Sequence, residues 1–450
     1  MQSSQQLHYE YEFPHRVDDN VAVWSEFKEL GERYNCISLG EGAPAANPPQ
    51  FLINELHKSI QEGHNQYSRT FGHPLLVQKV AEFYGKKLKL SRQIDPLKEV
   101  IVSAGAYNVI VNTLIALIRP GVGEEVLVFE PGWPCYIDLV QYAGGIYKPL
   151  SLQLNEEGKW KFNAEQFRQS ITAKTKLFIF NNAQNPTGKI FTKEELEAMT
   201  QILNENPQVI VLSDDVYEFL FYDDNQFVGF ASIQDNFKKT ISVYCPGKLF
   251  CATGWQVGWA VGPENLIKPI SVISNAVIYC ANTPIQVAFA RSLDQSLVKG
   301  YKNELSYVEN IRKEFQEVRD YMIQELTKEF DLPVVPLKSQ SGYFIILDIS
   351  KCQDLIPAIY RETHDFEQLK EGQTPINVNK VFMEDGRIPL DLAFCRWIAV
   401  ERGVIMMPCS LFYHKESPYR EDKYVRIVIC KGLDFSVKAV DRLKNITKNE

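Results

Sequence analysis

The stretch Asn181-Asn182-Ala183-Gln184-Asn185-Pro186-Thr187-Gly188-Lys189 follows directly on the apolar run Leu177–Phe180 and leads into Thr192-Lys193-Glu194-Glu195. A buried apolar run, a turn punctuated by Asn-Pro and Thr-Gly, and a Thr-x-x-Glu capping box read as a strand handing over to a helix. Asn-Pro-Thr-Gly taken alone is a surface turn. At the carboxyl end of a buried strand it becomes a turn facing a ligand, with Asn185 able to donate a hydrogen bond.

The same rhythm extends in both directions. Val100–Ser103, Val126–Phe129, Val209–Leu212, Ile241–Tyr244 and Trp259–Val261 read as further buried strands, separated by helical patterns such as Thr192–Asn204. Strands alternating with helices predict an α/β fold with a mostly parallel sheet covered on both faces. Pro269 to Gly300 breaks the rhythm, and Tyr301–Glu329 is expected to form one long exposed helix. Gly342–Asp348 and Tyr424–Ile429 look like strands of a second, smaller unit, and Gln353–Asp391 like a long loop.

Composition narrows the function classes. The 450 residues are 45% hydrophobic and 23% charged, with a net charge of −8 and no long basic run. That is an ordinary soluble composition and a poor match to nucleic acid or an anionic membrane as partner. No apolar stretch is long enough to span a bilayer. The nine cysteines are scattered and never spaced C-x-x-C, which predicts reduced thiols in a cytoplasmic compartment and no metal site. The opening residues MQSSQQLHYEYEFPH and Arg16 lack the features of a secretory signal or a transit peptide.

Three further segments carry chemistry. Ser213-Asp214-Asp215-Val216-Tyr217 ends a strand, so one acid can pair with a protonated ring nitrogen while the other caps a helix. Such an acid is what an electron-sink cofactor of the pyridoxal type needs, and Tyr217 can donate to the ring's oxygen. Lys248, in Tyr244-Cys245-Pro246-Gly247-Lys248, lies just past another buried strand in a glycine-rich setting. There it is either a Schiff-base amine, its pKa lowered by burial and a cationic cofactor, or a solvated lysine. Arg426, inside the apolar run Tyr424–Ile429, needs an anion: a substrate carboxylate or a structural acid.

Together the four segments resemble the class I aminotransferases of pyridoxal 5′-phosphate (PLP) fold type I, and within them the kynurenine aminotransferase, glutamine transaminase K and cysteine-conjugate β-lyase group. The likeness runs from about Trp24 to Leu443 and includes Leu39-Gly40-Glu41-Gly42-Ala43-Pro44, Gln66–Gly72, Ile94-Asp95-Pro96-Leu97 and Glu130-Pro131 before Trp133. The resemblance implies a large PLP-binding domain at 51–300 with a seven-stranded sheet, and a small α/β domain at 301–450 joined by residues 1–50. It implies Lys248 as the Schiff-base lysine and proton shuttle, Asp214 on the pyridine nitrogen, and Asn185 and Tyr217 on the ring oxygen. Trp133 would stack on the ring, and Gly105, Ala106 and Tyr107 would offer backbone N–H groups to the phosphate. Tyr67 would reach the neighbouring site of a homodimer, and Arg426, Asn185 and Gly42 would hold the substrate carboxylate.

The chain departs from that pattern at three places. Gln256 stands where a phosphate-pairing Arg or Lys is usual, Cys245 stands where a phosphate-binding Ser is usual, followed by a bulky Pro246, and Ala183 replaces a Pro. Losing the cation would weaken the cofactor's hold by ~1.5–3 kcal/mol, the worth of a hydrogen bond to a charged group. The implied activity is ping-pong transamination between an aromatic or large neutral L-amino acid and a 2-oxo acid. Cysteine-conjugate β-elimination on the same residues is an alternative, and a cofactor-poor binding or regulatory protein with this fold is another. Gly121-Val122-Gly123 precedes a strand, contrary to the order a dinucleotide fingerprint requires.

Overall fold

A computed structural model describes residues 22–444, apart from 329, 368 and 370–372. The reading of Met1–Arg16 therefore lies outside the described residues. Seven strands, β1 (Val100–Ser103), β2 (Glu125–Glu130), β3 (Ile146–Ser151), β4 (Thr175–Asn181), β5 (Ile210–Asp214), β6 (Thr240–Tyr244) and β7 (Gly258–Val261), form one sheet in the order β1-β7-β6-β5-β4-β2-β3. All neighbours are parallel except β7, which runs antiparallel to β1 and β6. Alternate residues feed two cores: Leu177 and Ile179 face one, Phe178 and Phe180 the other. Burial on both faces explains why these strands read as continuous apolar runs. β3 was not visible as a strand. It is an edge strand, where Lys148 and Pro149 are tolerated because one side of the backbone needs no partner.

A second sheet joins β8 (Val335–Leu337), β9 (Phe344–Asp348), β10 (Met407–Pro408) and β11 (Tyr424–Val428) in the antiparallel order β8-β9-β11-β10. Arg426 sits mid-sheet, opposite Ile346 on one side and Met407 on the other. The early chain docks here. Ile37–Ser38 pairs in parallel with Val404–Ile405, and the buried Glu26 accepts from Arg396 Nε at 2.6 Å.

The predicted long helix spans Tyr307–Thr327 and opens with a Ser306/Glu309 capping box. It is amphipathic rather than exposed. Val308, Ile311, Phe315, Val318 and Met322 bury one stripe, the spacing of a core-facing helix. The helix Lys193–Glu205 starts with the expected Thr192/Glu195 box. The described residues of Gln353–Asp391 form short helical turns and loop before the helix Leu390–Arg402 begins. The nine cysteines are free thiols, and among the described residues no acid, His and Cys cluster suits a metal. No described helix is long and apolar enough to cross a membrane.

The two sheets meet at the end of β2. Glu130 is fully buried and accepts from the His414 N–H at 2.6 Å and from Ser417 Oγ, while the Gly132 N–H donates to the Phe412 carbonyl at 2.9 Å. Burial raises the Glu130 carboxyl to about 7, against the lowering effect of the His414 and Ser417 donors. The unfolded chain titrates this group near 4.5. Between those values the folded state binds more protons, so stability falls as pH rises through the window. Glu130→Gln removes the titration. Its melting temperature is expected to change less between pH 5 and pH 8 than the parent's, and equal slopes would contradict this account.

Candidate active site

β4, β5 and β6 end side by side; β4 and β5 end on Asn181 and Asp214, which build the site, and Cys245 follows the end of β6. The register sets Asn181 opposite Asp214. Asn181 Nδ2 donates to the Asp214 carbonyl at 2.8 Å, and Asn181 Oδ1 accepts from the Asn185 N–H at 2.8 Å. The turn is thereby fastened to the next strand, with Asn182–Ala183 and Asn185–Pro186 both cis. Past β6, the short helix Pro246–Leu249 carries Lys248. Pro246 occupies its first turn, where a missing N–H costs nothing. Tyr343 Oη donates to the Lys248 carbonyl, and Tyr307 Oη donates to the Leu249 carbonyl at 3.0 Å.

These ends surround a pocket of about 280 Å³. Asn185, Asp214, Tyr217, Lys248, Trp133, Gly105, Ala106, Tyr107, Cys245 and Gln256 all line it. Arg426 stands directly behind Asn185. Gly42 lies outside the lining and packs on Phe344, whose ring a Cβ at Gly42 would meet at 2.9 Å. The Gly40 carbonyl, not Gly42, contacts Arg426. Tyr67 also lies outside this pocket, 82% exposed and edge-on to Tyr279.

The structure separates the two acids. Asp214 faces the pocket, where its Oδ2 accepts from Tyr136 Oη and its Oδ1 from the Val216 N–H at 3.4 Å. Asp215 points to the other side of the sheet and accepts from Ser213 Oγ at 2.8 Å. Neither caps a helix. Burial raises the Asp214 carboxyl, opposed by Tyr136, the Val216 N–H and the Lys248 charge. Tyr217 is raised by burial, against the charges of Lys248 and Arg426.

Opposing effects act on Lys248. Burial lowers its amine, but Tyr217, Cys245 and Cys430 together raise it further, and the balance lies above the ordinary lysine value. The chain's own groups favour the ammonium.

Arg426 is buried and has no carboxylate partner among the described residues. Nη1 donates to Asn185 Oδ1 at 3.0 Å and Nη2 to the Gly40 carbonyl at 2.7 Å, while Nε has no partner. The rings of Phe344, Phe412 and Trp24 lie 4.2, 4.8 and 5.5 Å from its guanidinium carbon. Burial lowers it to about 10. Among the described residues Arg426 therefore has no structural ion pair, and it lies behind the pocket lining rather than in it.

At the other end of the pocket, the helix Gly105–Leu117 begins. Gly105 has φ +80°, a conformation L side chains rarely adopt, and a Cβ there would lie 2.7 Å from Gln256 Oε1. A Cβ on Gly258 would lie 2.4 Å from the Ala106 nitrogen. Two glycines therefore let β7 pack against the helix start, leaving a backbone cradle suited to an anion. An amine, a buried acid, a phenol, an amide donor and an anion cradle around one pocket fit PLP in the chemistry of their donors.

Two contributors were missed. Asn181 was quoted only as part of the turn. Tyr136 lies three residues after Trp133, and that spacing, close to one helical turn, was the available signal.

Comparisons agree with this geometry. Residues 34–434 match the family described as aminotransferase class I and II. Kynurenine–oxoglutarate transaminase of Dictyostelium discoideum is 32% identical over 441 residues, covering 95% of this chain and 94% of that one. Human kynurenine–oxoglutarate transaminase 1 is 30% identical over 429 residues, covering 93% and 94%. The crystal structure of Bna3p from Saccharomyces cerevisiae matches with a TM-score of 0.80 at 27% identity, over 95% of this chain and 96% of that one. Matched along nearly its whole length, this chain belongs to the class I and II aminotransferase family.

Proposed function

We propose that this aminotransferase moves the amino group of an aromatic or large neutral L-amino acid, of the kynurenine, glutamine or phenylalanine type, to a 2-oxo acid by a ping-pong mechanism. The observation that carries the reading is Arg426, a buried guanidinium with two neutral hydrogen-bond acceptors and no acid. Burying an unpaired cation is costly, so an arrangement that keeps one is built for a ligand carboxylate. The aromatic surround of Arg426, with Trp133 and Tyr107 in the pocket wall, supports a large apolar side chain on the donor. The similarity to kynurenine–oxoglutarate transaminases supports the same reading.

PLP, when bound, supplies an electron sink for the charge left on the substrate's Cα. Lys248 Nζ would hold the cofactor and, once displaced by the donor's amine, would be free to take the Cα proton. A cationic ligand beside the amine would favour its free form. Asp214, oriented by Tyr136 and Asn181, serves the ring nitrogen. Asn185 commits its Oδ1 to Arg426, which leaves Nδ2 as the donor for the ring oxygen, with Tyr217 as the second. The N–H groups of Gly105, Ala106 and Tyr107, with Cys245 and Gln256, form the phosphate end, and Trp133 covers the ring. Arg426 orients the substrate through its carboxylate, with Gly42 placed on the segment beside it.

The working unit in this reading is a homodimer, since Tyr67 is exposed and outside its own chain's pocket, free to complete a neighbour's. The large domain is assigned to 51–300 and the small one to 301–450 with 1–50. The nine free thiols support a cytoplasmic location.

Borohydride reduction of the PLP-loaded protein is expected to place the phosphopyridoxyl label on Lys248, with Lys248→Ala folded but inactive. A label on another lysine, or turnover by that variant, would sink the assignment. Arg426→Ala is expected to raise KM for amino acids about 10- to 100-fold, the worth of one hydrogen bond to a charged group, without loss of bound PLP. Parallel loss of PLP would move Arg426 to a structural role. An amino-acid panel with 2-oxo acid acceptors, read alongside pyruvate release from a cysteine conjugate, tests the donor class.

A further inference from the structure

The phosphate end of the pocket is electrically unlike its carboxylate end. Among the residues lining the pocket, Lys248 is the one cation, and its amine is committed to the carbonyl end of the cofactor in the reading above. At the helix start stands Gln256, in the left-handed region at φ +47°, with Nε2 donating to the Thr253 carbonyl at 2.7 Å and Oε1 turned toward Gly105. Burial raises the Cys245 thiol, opposed by the Lys248 charge and by the nearby backbone N–H groups of Gly247, Ala106 and Lys248. The cup therefore offers neutral side chains and the partial charge of one helix terminus to a phosphate dianion.

We propose that this chain grips the cofactor's phosphate without a cation, with Gln256 setting the weakness of that grip, so that when no 2-oxo acid is at hand the aminated cofactor exchanges with solution in competition with the second half reaction. The inference rests on the aminotransferase reading. In the first half reaction the donor's amino group ends on the cofactor, one water supplies the oxygen of the departing oxo acid, and the Lys248 amine is released. From that point no covalent bond holds the cofactor, and retention falls to the phosphate and ring contacts. A cup with a fixed cation keeps the aminated form for the second half reaction. A neutral cup lets it exchange with PLP from solution, which makes the enzyme responsive to the surrounding cofactor supply.

The test measures binding of pyridoxamine 5′-phosphate, which cannot bond covalently to Lys248, to the full-length protein by calorimetry at low and high KCl. For the parent we expect a Kd with little salt dependence, and release of aminated cofactor on gel filtration after treatment with an amino-acid donor alone. Gln256→Arg and Gln256→Lys are expected to tighten binding about 10- to 100-fold, to make it salt-dependent, and to keep the aminated cofactor on the column. Parent protein that retains the aminated cofactor through the column overturns the proposal, and this readout needs no variant. So does an unchanged Kd in both substitutions, which would mean that another cation, such as one from a second subunit, already holds the phosphate. Borohydride labelling of the same preparations separates the failures. Absence of label on Lys248 sinks the underlying reading, whereas label with tight, substitution-insensitive binding sinks only the exchange.

Discussion

One asparagine side chain holds the site together. Asn181 ends β4 opposite Asp214, and its amide spans both neighbours: the nitrogen on the Asp214 carbonyl, the oxygen on the Asn185 N–H. The pleat then decides which acid works. Successive strand residues face opposite ways, so Asp214 faces the pocket and Asp215 the far side, near Lys87 and Glu218. A one-residue slip of β5 would exchange them, sending Asp215 to the pocket and Asp214 among those groups. The Asn181 bridge opposes that slip at the very end of the strand, where backbone pairing is about to stop.

The buried arginines show how the molecule separates structure from function. Arg319 pairs with Asp223, Arg396 with Glu26 and Arg402 with Asp331, each at 2.8 Å or less. Those ions are neutralised inside the chain, and they fasten the helix Tyr307–Thr327, the early helix Val23–Arg33 and the helix Leu390–Arg402 to their surroundings. Arg426 is equally buried yet is given only Asn185 and a carbonyl. Hydrogen bonds to neutral acceptors fix the guanidinium plane without cancelling its charge. The cost of that unpaired cation is tolerable only if an anion offsets it when the site is in use. The same logic applies to Asp214, held by a phenol and a backbone N–H rather than by an arginine.

Much of this was legible in the sequence. The strands that carry the site are buried on both faces and read as unbroken apolar runs, so their ends, and the polar residues just beyond, could be located to within a residue or two. Lys248, Asp214, Asn185 and Tyr217 stand at such ends. What could not be read depended on tertiary contact. β3 hides behind Pro149 because an edge strand tolerates what an inner strand forbids. The helix Tyr307–Thr327 has so many charges that its apolar stripe, and the fully buried Arg319 within it, are visible only against the strand Val335–Leu337 and the Ser339 carbonyl it meets. Tyr136 gives no signal of its own, since a tyrosine one turn along a helix is ordinary until an aspartate from another strand arrives beside it. The burial of Lys248 was legible in the sequence, but the phenol and thiols gathered round the amine come from three separate segments and were not.

In the proposed reading the molecule offers two anion sites made in different ways. The carboxylate site would be a side chain, Arg426, a full charge carried on a strand of the second sheet and held by Asn185 from the turn after β4. The phosphate site is backbone, the start of the helix Gly105–Leu117, laid bare because β7 runs against its neighbours and brings Gly258 within van der Waals range of Ala106. A backbone site survives substitution of the side chains around it, because its donors are fixed by the turn rather than by residue identity. That is why Gln256 and Cys245 can stand in the cup without disturbing the fold. In the proposed reading they would change the strength of the grip while the lysine, the acid and the arginine keep their geometry, which would make affinity for cofactor separable from competence for chemistry.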